Sequence, residues 1–333
     1  MATYRDAGVN LDAAERAVDR MSRSVTSTWG KDVVGRFGGF AAGIRMPAGY
    51  RDPVLMMSTD GVGTKAEVAR QADRLDGLGW DLVAMCADDL AAAGARPLAM
   101  TDYLSVGRLL PERVARIVTS VAQACSEAEI ALLGGETAEH PGVMEPDEFD
   151  LAGAVVGVVE ADEVVDGAEV EPGQVILGLE SPNLRSNGFS LIRKAVLTRI
   201  DLDSPLADGT AAAVLLAPSV LYSPAIQRLL VAVPVAAMAH ITGGGIAGNL
   251  TRVLPDEVDA AIDTASWQRP AVFTEIAAIG SVAEPDMYTT FNMGIGFVVV
   301  VASADVTAAQ DALGIASRVI GGTVPGTGAV RLG

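Results

Sequence analysis

A chain of 333 residues, half of them hydrophobic and only 5% aromatic, can fill more than one aliphatic core, which predicts two domains. With 24 Lys and Arg against 42 Asp and Glu, the formal charge of −18 excludes a general nucleic-acid or anionic-membrane binder, which needs a basic surface. Two cysteines without C-x-x-C spacing exclude a disulfide scaffold or zinc site, and no apolar run is long enough to span a bilayer. The first residues, Met1–Asp6, lack a cationic and apolar leader, so a soluble, cytoplasmic protein is expected.

In chain order, apolar periodicity predicts a helix over Leu11–Arg23, a strand over Val54–Ser58 and a helix over Leu78–Ala93. A strand at Leu98–Leu104, a helix at Pro111–Glu127, and strands at Ile130–Leu133 and Leu151–Val159 complete the first half. The acidic, Gly- and Pro-bearing stretch Glu160–Gly173 is the expected linker and divides the chain into domains 1–165 and 166–333. Beyond it come strands Val175–Leu179, Val258–Ile262 and Gly296–Val301. Helices are predicted at Phe189–Thr198, Val220–Val231, Pro270–Ile279 and Ala304–Leu313, the last closed by Gly314. The pattern is α+β. Helix 78–93 is apolar except for Asp81, Asp88 and Asp89, and acids on a buried helix need a cation, a ligand or a cap.

Five segments carry more polarity and glycine than packing requires. Ser58-Thr59-Asp60-Gly61-Val62-Gly63-Thr64-Lys65 follows an apolar strand and is expected to turn there. It gathers a carboxylate for a hard cation, backbone N–H groups for an anion and an ammonium for a phosphate, without being a Walker loop. The chain has three lysines, Lys31, Lys65 and Lys194, so one at this turn stands out. Gly134-Gly135-Glu136 is expected to end a second strand with a second acid. Arg185-Ser186-Asn187-Gly188 opens a helix, and His240-Ile241-Thr242-Gly243-Gly244-Gly245 is a further strand end. Tyr288–Gly296 reads as a loop before a strand. Taken singly, each also fits an ordinary turn or cap with solvated side chains. Of the two histidines, His240 is the available base and His140 is equally well a solvated side chain. The chemistry indicated is phosphate and metal handling.

Together and in order, these segments resemble the aminoimidazole ribonucleotide synthetase, or phosphoribosylformylglycinamidine cyclo-ligase, family. The resemblance begins at Tyr4-Arg5-Asp6-Ala7-Gly8-Val9, passes through Phe37-Gly38-Gly39-Phe40, Asp60–Lys65, Asp81–Cys86, Gly134–Glu139 and Ser186–Lys194, and continues through His240–Gly245, Arg252-Val253-Leu254-Pro255 and Tyr288–Gly296. It implies a homodimeric, ATP-dependent enzyme of purine biosynthesis, whose N-terminal domains pair through a β-barrel-like interface and whose C-terminal sheet is packed with helices. It also implies an active-site cleft involving both domains. The reaction implied is phosphorylation of the formyl amide oxygen of formylglycinamidine ribonucleotide, then ring closure to 5-aminoimidazole ribonucleotide, ADP and phosphate. The resemblance places Asp60, Asp89 and Glu136 around Mg²⁺–ATP with Gly61, Gly63, Gly134 and Gly135, and Thr64 and Lys65 on the triphosphate. Arg185, Ser186, Asn187, Gly188 and Thr242, Gly243, Gly244, Gly245 would hold the substrate's ribose phosphate, with Asp60, Lys65 and His240 as the catalytic set.

Two departures stand out. The family usually has a histidine where this chain has Arg185, and a guanidinium can bind phosphate but cannot act as a base. Ser22 and Arg36 likewise sit in segments where the family pattern differs. They leave open a diverged paralogue that activates another amide or acid with ATP, and a non-catalytic nucleotide-binding dimer. Other branches of the superfamily match less well: selenophosphate synthetases want a reactive cysteine near the start, hydrogenase-maturation proteins a terminal cysteine, and thiamine-monophosphate kinases lack this Ser-Asn-Gly and Thr-Gly-Gly-Gly pair.

Overall fold

The computed structural model describes residues 7, 8 and 10–333, so Tyr4, Arg5, Asp6 and Val9 of the first resembling segment lie outside the described residues. The contacts divide the chain into two units, Met1–Leu90 with Arg96–Ala161, and Ala91–Ala95 with Asp162–Gly333. The division falls inside the acidic stretch, close to the predicted break at 165/166.

In the first unit the elements run α1 (Leu11–Ser27), β1 (Pro53–Gly61), α2 (Lys65–Gln71), α3 (Leu78–Ala92), β2 (Arg96–Val106), α4 (Pro111–Glu127), β3 (Ala131–Glu139) and β4 (Phe149–Glu160). The four strands form a sheet of order β1-β4-β2-β3, antiparallel except for the β2–β3 pair. Along β4 the odd-numbered residues Leu151, Val155 and Val159 are buried. The opposite face is more open, and there Leu55, Met57 and Tyr103 are exposed. Helix α3 is buried nearly all round and therefore shows no amphipathic stripe. Its approach to α4 requires Gly79, where a Cβ would lie 2.1 Å from the Ser120 backbone. Helix α1 is capped by the Asn10 side chain, which accepts from Ala13 N–H at 3.2 Å. Its far end is fixed to β3, where Thr28 Oγ1 accepts from Leu132 N–H and Trp29 Nε1 donates to Leu132 O.

Both β1 and β3 run further than predicted. β1 continues through Asp60, and β3 passes through the double glycine to Glu139 instead of turning there. An extra residue, Leu133, interrupts the β2–β3 register before Gly134, which adopts a φ of 151°. Glycine lets the strand absorb the bulge and continue. Both cysteines are buried and free, and burial pushes the Cys86 thiol up to about 12. No described helix is long and apolar enough to cross a membrane.

The second unit contains β5 (Val175–Glu180), α5 (Ser223–Ala232), β6 (Ala237–His240), α6 (Gly245–Leu250), β7 (Val258–Ile262), α7 (Ala271–Gly280), α8 (Glu284–Thr290), β8 (Ile295–Val301), α9 (Val306–Leu313), β9 (Ser317–Pro325) and β10 (Val330–Leu332). They build a six-stranded sheet of order β6-β8-β5-β9-β7-β10, antiparallel except for β7–β10. Both faces are covered by apolar clusters: Ile176, Ala237 and Val300 belong to one, Leu177, Met238 and Phe297 to the other. Strand β8 is consequently buried at every position and reads as an unbroken apolar run. The predicted helix 189–198 is a single α-turn, Phe189–Leu191, followed by a wider coil over Ile192–Val196 with Leu197 N–H on Ile192 O. Sequence spacing cannot separate the two, because either coil puts Ile192 and Val196 on the buried side. Strand β9 escapes prediction because only Ile320 and Thr323 in it are buried. Helix α8 occupies part of the segment read as a loop.

Asp259 on β7 closes this domain. Its carboxylate accepts from Thr327 N–H at 2.6 Å and Ala329 N–H at 2.9 Å and pairs with Arg331 on β10. Those donors favour the charged form and hold the carboxyl below its usual range, chiefly through the two backbone N–H groups. A depressed carboxyl contributes stability that is present above the unfolded-state value and lost as pH falls through the folded one. Asp259→Asn should therefore lower the melting temperature at pH 7, with the difference from wild type shrinking toward pH 3 in thermal scans across that range.

Candidate functional site

The turn after β1 is fixed from beneath. Lys65, the first residue of α2, is 1% exposed, and its Nζ lies 2.8 Å from Asp81 Oδ1 on α3. The lysine read as a triphosphate ligand is thus placed in the domain interior against one of the unexplained helix acids. An ammonium leaves water only when a carboxylate replaces its hydration, and the geometry at Asp81 supplies that. The pair joins the Gly61–Thr64 turn to α3. Gly63 takes a φ of 66° within the turn, where a Cβ would meet open space. Asp88, on the face of α3 shared with Asp81, is also buried, while Asp89 is exposed.

Asp60 and Asp89 both lie close to Cys86. Ser58 Oγ donates to Asp89 Oδ2 at 3.3 Å, the Cys86 thiol lies 3.9 Å from Asp60 O, and both carboxylates help push that thiol up. Gly61 N–H donates to Asp60 Oδ1 at 2.7 Å, aiming the carboxylate outward from the strand end. Two exposed carboxylates on different elements could offer hard oxygen donors of the kind Mg²⁺ takes, an ion that keeps several waters and needs few protein ligands. Glu136 does not join them within one chain: it lies on β3, and β3 and β1 are the opposite edges of the sheet. Among the described residues no three His, Cys, Asp or Glu side chains converge as a metal cage.

Glu136 instead lines a cavity of about 720 Å³ with Gly134, Gly135, the Phe37–Ala42 loop and α1. Its floor contains a residue the sequence reading passed over, Asp102 on β2. Asp102 is 8% exposed, and burial pushes its carboxyl up to about 7. Gly135 is what makes room for it, since a Cβ there would stand 1.9 Å from Asp102 Oδ1. The signal available in the sequence was a lone acid inside the apolar run Leu98–Leu104.

In the second domain the two glycine-bearing loops are built as a pair. Asn187 Oδ1 accepts from Gly243 N–H at 3.1 Å. The Asn249 amide donates to Thr242 O, Gly243 O and Gly245 O at 3.3, 3.2 and 2.8 Å, folding residues 242–245 around itself. Gly244 and Gly245 have φ of 98° and 63°, and a Cβ on Gly245 would lie 1.8 Å from Tyr288 O. Gly188 also has positive φ, at 81°, and Ser186 Oγ is buried with no hydrogen-bond partner among the described residues.

Arg185 departs from expectation. It is fully buried, at a φ of 58°, with its guanidinium carbon 4.6 Å from the Tyr222 ring centroid and Nη2 3.0 Å from His240 Nε2. A desolvated cation–π contact of this kind contributes about 2 kcal/mol, enough to offset the roughly 1–2 kcal/mol of a left-handed non-glycine residue. His240 is itself 6% exposed and stacks on Phe297. Neither the arginine read as a phosphate ligand nor the histidine read as a base is open to solvent.

Comparison with known proteins covers nearly the whole chain. Residues 41–159 match the family model described as AIR synthase related protein, N-terminal domain, and residues 171–332 its C-terminal counterpart. A phosphoribosylformylglycinamidine cyclo-ligase from Anaeromyxobacter dehalogenans strain 2CP-1 is 48% identical over 315 residues, 93% of this chain and 91% of the relative. One from Anaeromyxobacter sp. strain Fw109-5 is 45% identical over 333 residues, 98% and 97% of the two chains. Among solved structures, thiamine-monophosphate kinase from Stenotrophomonas maltophilia K279a has a TM-score of 0.70 at 19% identity, with 95% of each chain covered. The hydrogenase maturation protein HypE in complex with ATP has a TM-score of 0.67 at 17% identity, covering 98% of this chain and 93% of that one. Those two likenesses are of fold.

Removing one member of a buried ion pair leaves the other charge uncompensated, at about 3–5 kcal/mol. Lys65→Met should destabilise the protein by an amount of that order in urea unfolding. The double variant Lys65→Met/Asp81→Leu should recover most of the loss. Equal destabilisation by the single and double variants would refute the pairing.

Proposed function

The chain belongs to the AIR synthase related family along both domains, in its phosphoribosylformylglycinamidine cyclo-ligase branch, and on that premise we propose how its residues carry out the reaction. The activity is ATP-dependent closure of formylglycinamidine ribonucleotide to 5-aminoimidazole ribonucleotide, ADP and phosphate, a step of purine biosynthesis. An amide oxygen is a poor leaving group until it is phosphorylated. Phosphoryl transfer to it is mostly a matter of position and charge neutralisation. Once it is phosphorylated, the amidine nitrogen attacks the formyl carbon, phosphate leaves with the oxygen, and the ring closes.

The observation that supports this reading at the site is that Asp60, at the end of β1, and Asp89, on α3, are both exposed and both act on Cys86, while the buried Lys65–Asp81 bridge ties the turn after β1 to α3. The oxygen donors of the two carboxylates fit Mg²⁺, and a Mg²⁺ bound there would neutralise phosphate charge. Asp60 and Asp89 would hold the metal, while Gly61, Gly63 and Thr64 would let backbone approach the triphosphate. Lys65 supports the turn from inside. Glu136, Gly134 and Gly135 line the cavity on β3 and contribute to nucleotide binding there. Ser186, Asn187 and Gly188 with Thr242–Gly245 hold the ribose phosphate, Ser186 Oγ being a buried donor that such an anion would satisfy.

The protein acts as a homodimer through the open face of the first-domain sheet. Leu55, Met57 and Tyr103 are 58%, 74% and 42% exposed on that face, too much apolar surface on one sheet to leave in water. Pairing two such faces would give the barrel-like interface.

Asp60→Asn should reduce Mg²⁺-dependent turnover by about 100-fold or more, read as ADP release coupled to the diazotisable amine of the product. Sedimentation of the same variant should be unchanged, since Asp60 supports no part of the apolar face. Conversely, Met57→Lys should shift the wild-type dimer toward monomer in sedimentation velocity, and an unaltered sedimentation coefficient would place the interface elsewhere.

A further inference from the structure

The roots of the two paired loops meet in the core of the second domain. Arg185 immediately precedes Ser186-Asn187-Gly188, and His240 ends β6 two residues before Thr242. The Arg185 backbone is held in turn: its N–H donates to Asn183 Oδ1 at 3.0 Å, and the Asn183 amide donates to Pro218 O at 2.8 Å. Asn292 Nδ2 donates to Asn183 O at 2.9 Å. Tyr222, under the guanidinium, is anchored by its hydroxyl on Glu180 O at 2.9 Å. His240 is anchored by its strand register opposite Phe297, on whose ring it stacks.

Direction follows from the chemistry of the two side chains. A guanidinium has only donors and keeps its proton in proteins. In the Arg185–His240 contact of 3.0 Å, Nη2 therefore donates and His240 Nε2 accepts. The proton of the neutral ring is then on Nδ1, and the Nε2 lone pair is already in use.

We infer that Arg185 and His240 form a clamp that sets the spacing of the 186–188 and 242–245 loops, making Arg185 a positioning residue for the nucleotide substrate and withdrawing His240 Nε2 from proton transfer. The clamp joins the loops at their roots, as the Asn187–Gly243 hydrogen bond joins them at their tips. Arg185 is a permanent cation that never reaches the solvent. Its relevance to catalysis rests on the reading of these loops as the phosphate site, but its geometry does not.

The first test needs no substrate. The chain has two histidines, so nitrogen-15 spectra of the histidine-labelled full-length protein, with His140→Gln to assign the signals, resolve the His240 tautomer. The clamp requires a protonated Nδ1 and a hydrogen-bonded, unprotonated Nε2. A proton on Nε2 overturns it, whatever the enzyme turns over. The second test is the kinetic split. Arg185→Met should raise KM for formylglycinamidine ribonucleotide about 10- to 100-fold, with kcat within about threefold, and Arg185→Lys, which keeps a charged donor, should recover part of the loss. His240→Gln retains an acceptor for Arg185 and should likewise act mainly on KM. A fall in kcat of about 1,000-fold or more at unchanged KM would make His240 the base and overturn the proposal.

Discussion

The Lys65–Asp81 ion pair is the contact that ties the turn after β1 to α3 in the first domain. A lysine directly after a glycine turn would ordinarily reach into water. Here its ammonium is drawn inward to a carboxylate on α3, and the turn must follow. Asp60 at the end of β1 and Asp89 two turns along the same helix are thereby held close enough for both to act on Cys86. Buried ion pairs are poor sources of net stability, because the desolvation of both groups cancels most of their attraction. Their effect is registration: one arrangement satisfies both charges, and other positions of the turn leave them uncompensated.

The second domain uses a buried charge differently. Arg185 sits against an aromatic face and an imidazole, and the strain of its left-handed backbone is held by Asn183 and Asn292. At 45–48% identity to cyclo-ligases, the overall reaction is carried by the family relation. Arg185 ties the roots of the 186–188 and 242–245 loops together. An arginine in a packed interior cannot serve proton transfer, but it can hold two loop roots at one distance over the whole working pH range.

The β-sheet of the first domain distributes its polar residues between two edges. Because β3 continues through its double glycine, Glu136 faces the cavity beside α1 and does not converge with Asp60. The second of these glycines, Gly135, leaves the space that Asp102 fills, and a carboxyl so enclosed is held toward its neutral form by the lack of water around it. The opposite, open face of the sheet is apolar where strands β1 and β2 present Leu55, Met57 and Tyr103.

By itself the sequence determined the two-domain α+β plan, the positions of most strands and helices, and the ordered segments that identify the family, because these depend on local periodicity and on residue types at fixed spacing. It also marked Asp60 and Asp89 as acids beside glycine and apolar runs, because both follow from residue type and position alone. Strand continuation through Gly134-Gly135 was not legible, since a bulge is compensated by a partner strand distant in the chain. Nor could spacing show that Lys65 pairs inward with Asp81, that Asp102 lies under a glycine, or that Arg185 takes the lone pair of His240. Those are contacts across 16 residues or more, and only the packed tertiary structure decides whether a charged side chain meets water, a ligand or a buried partner.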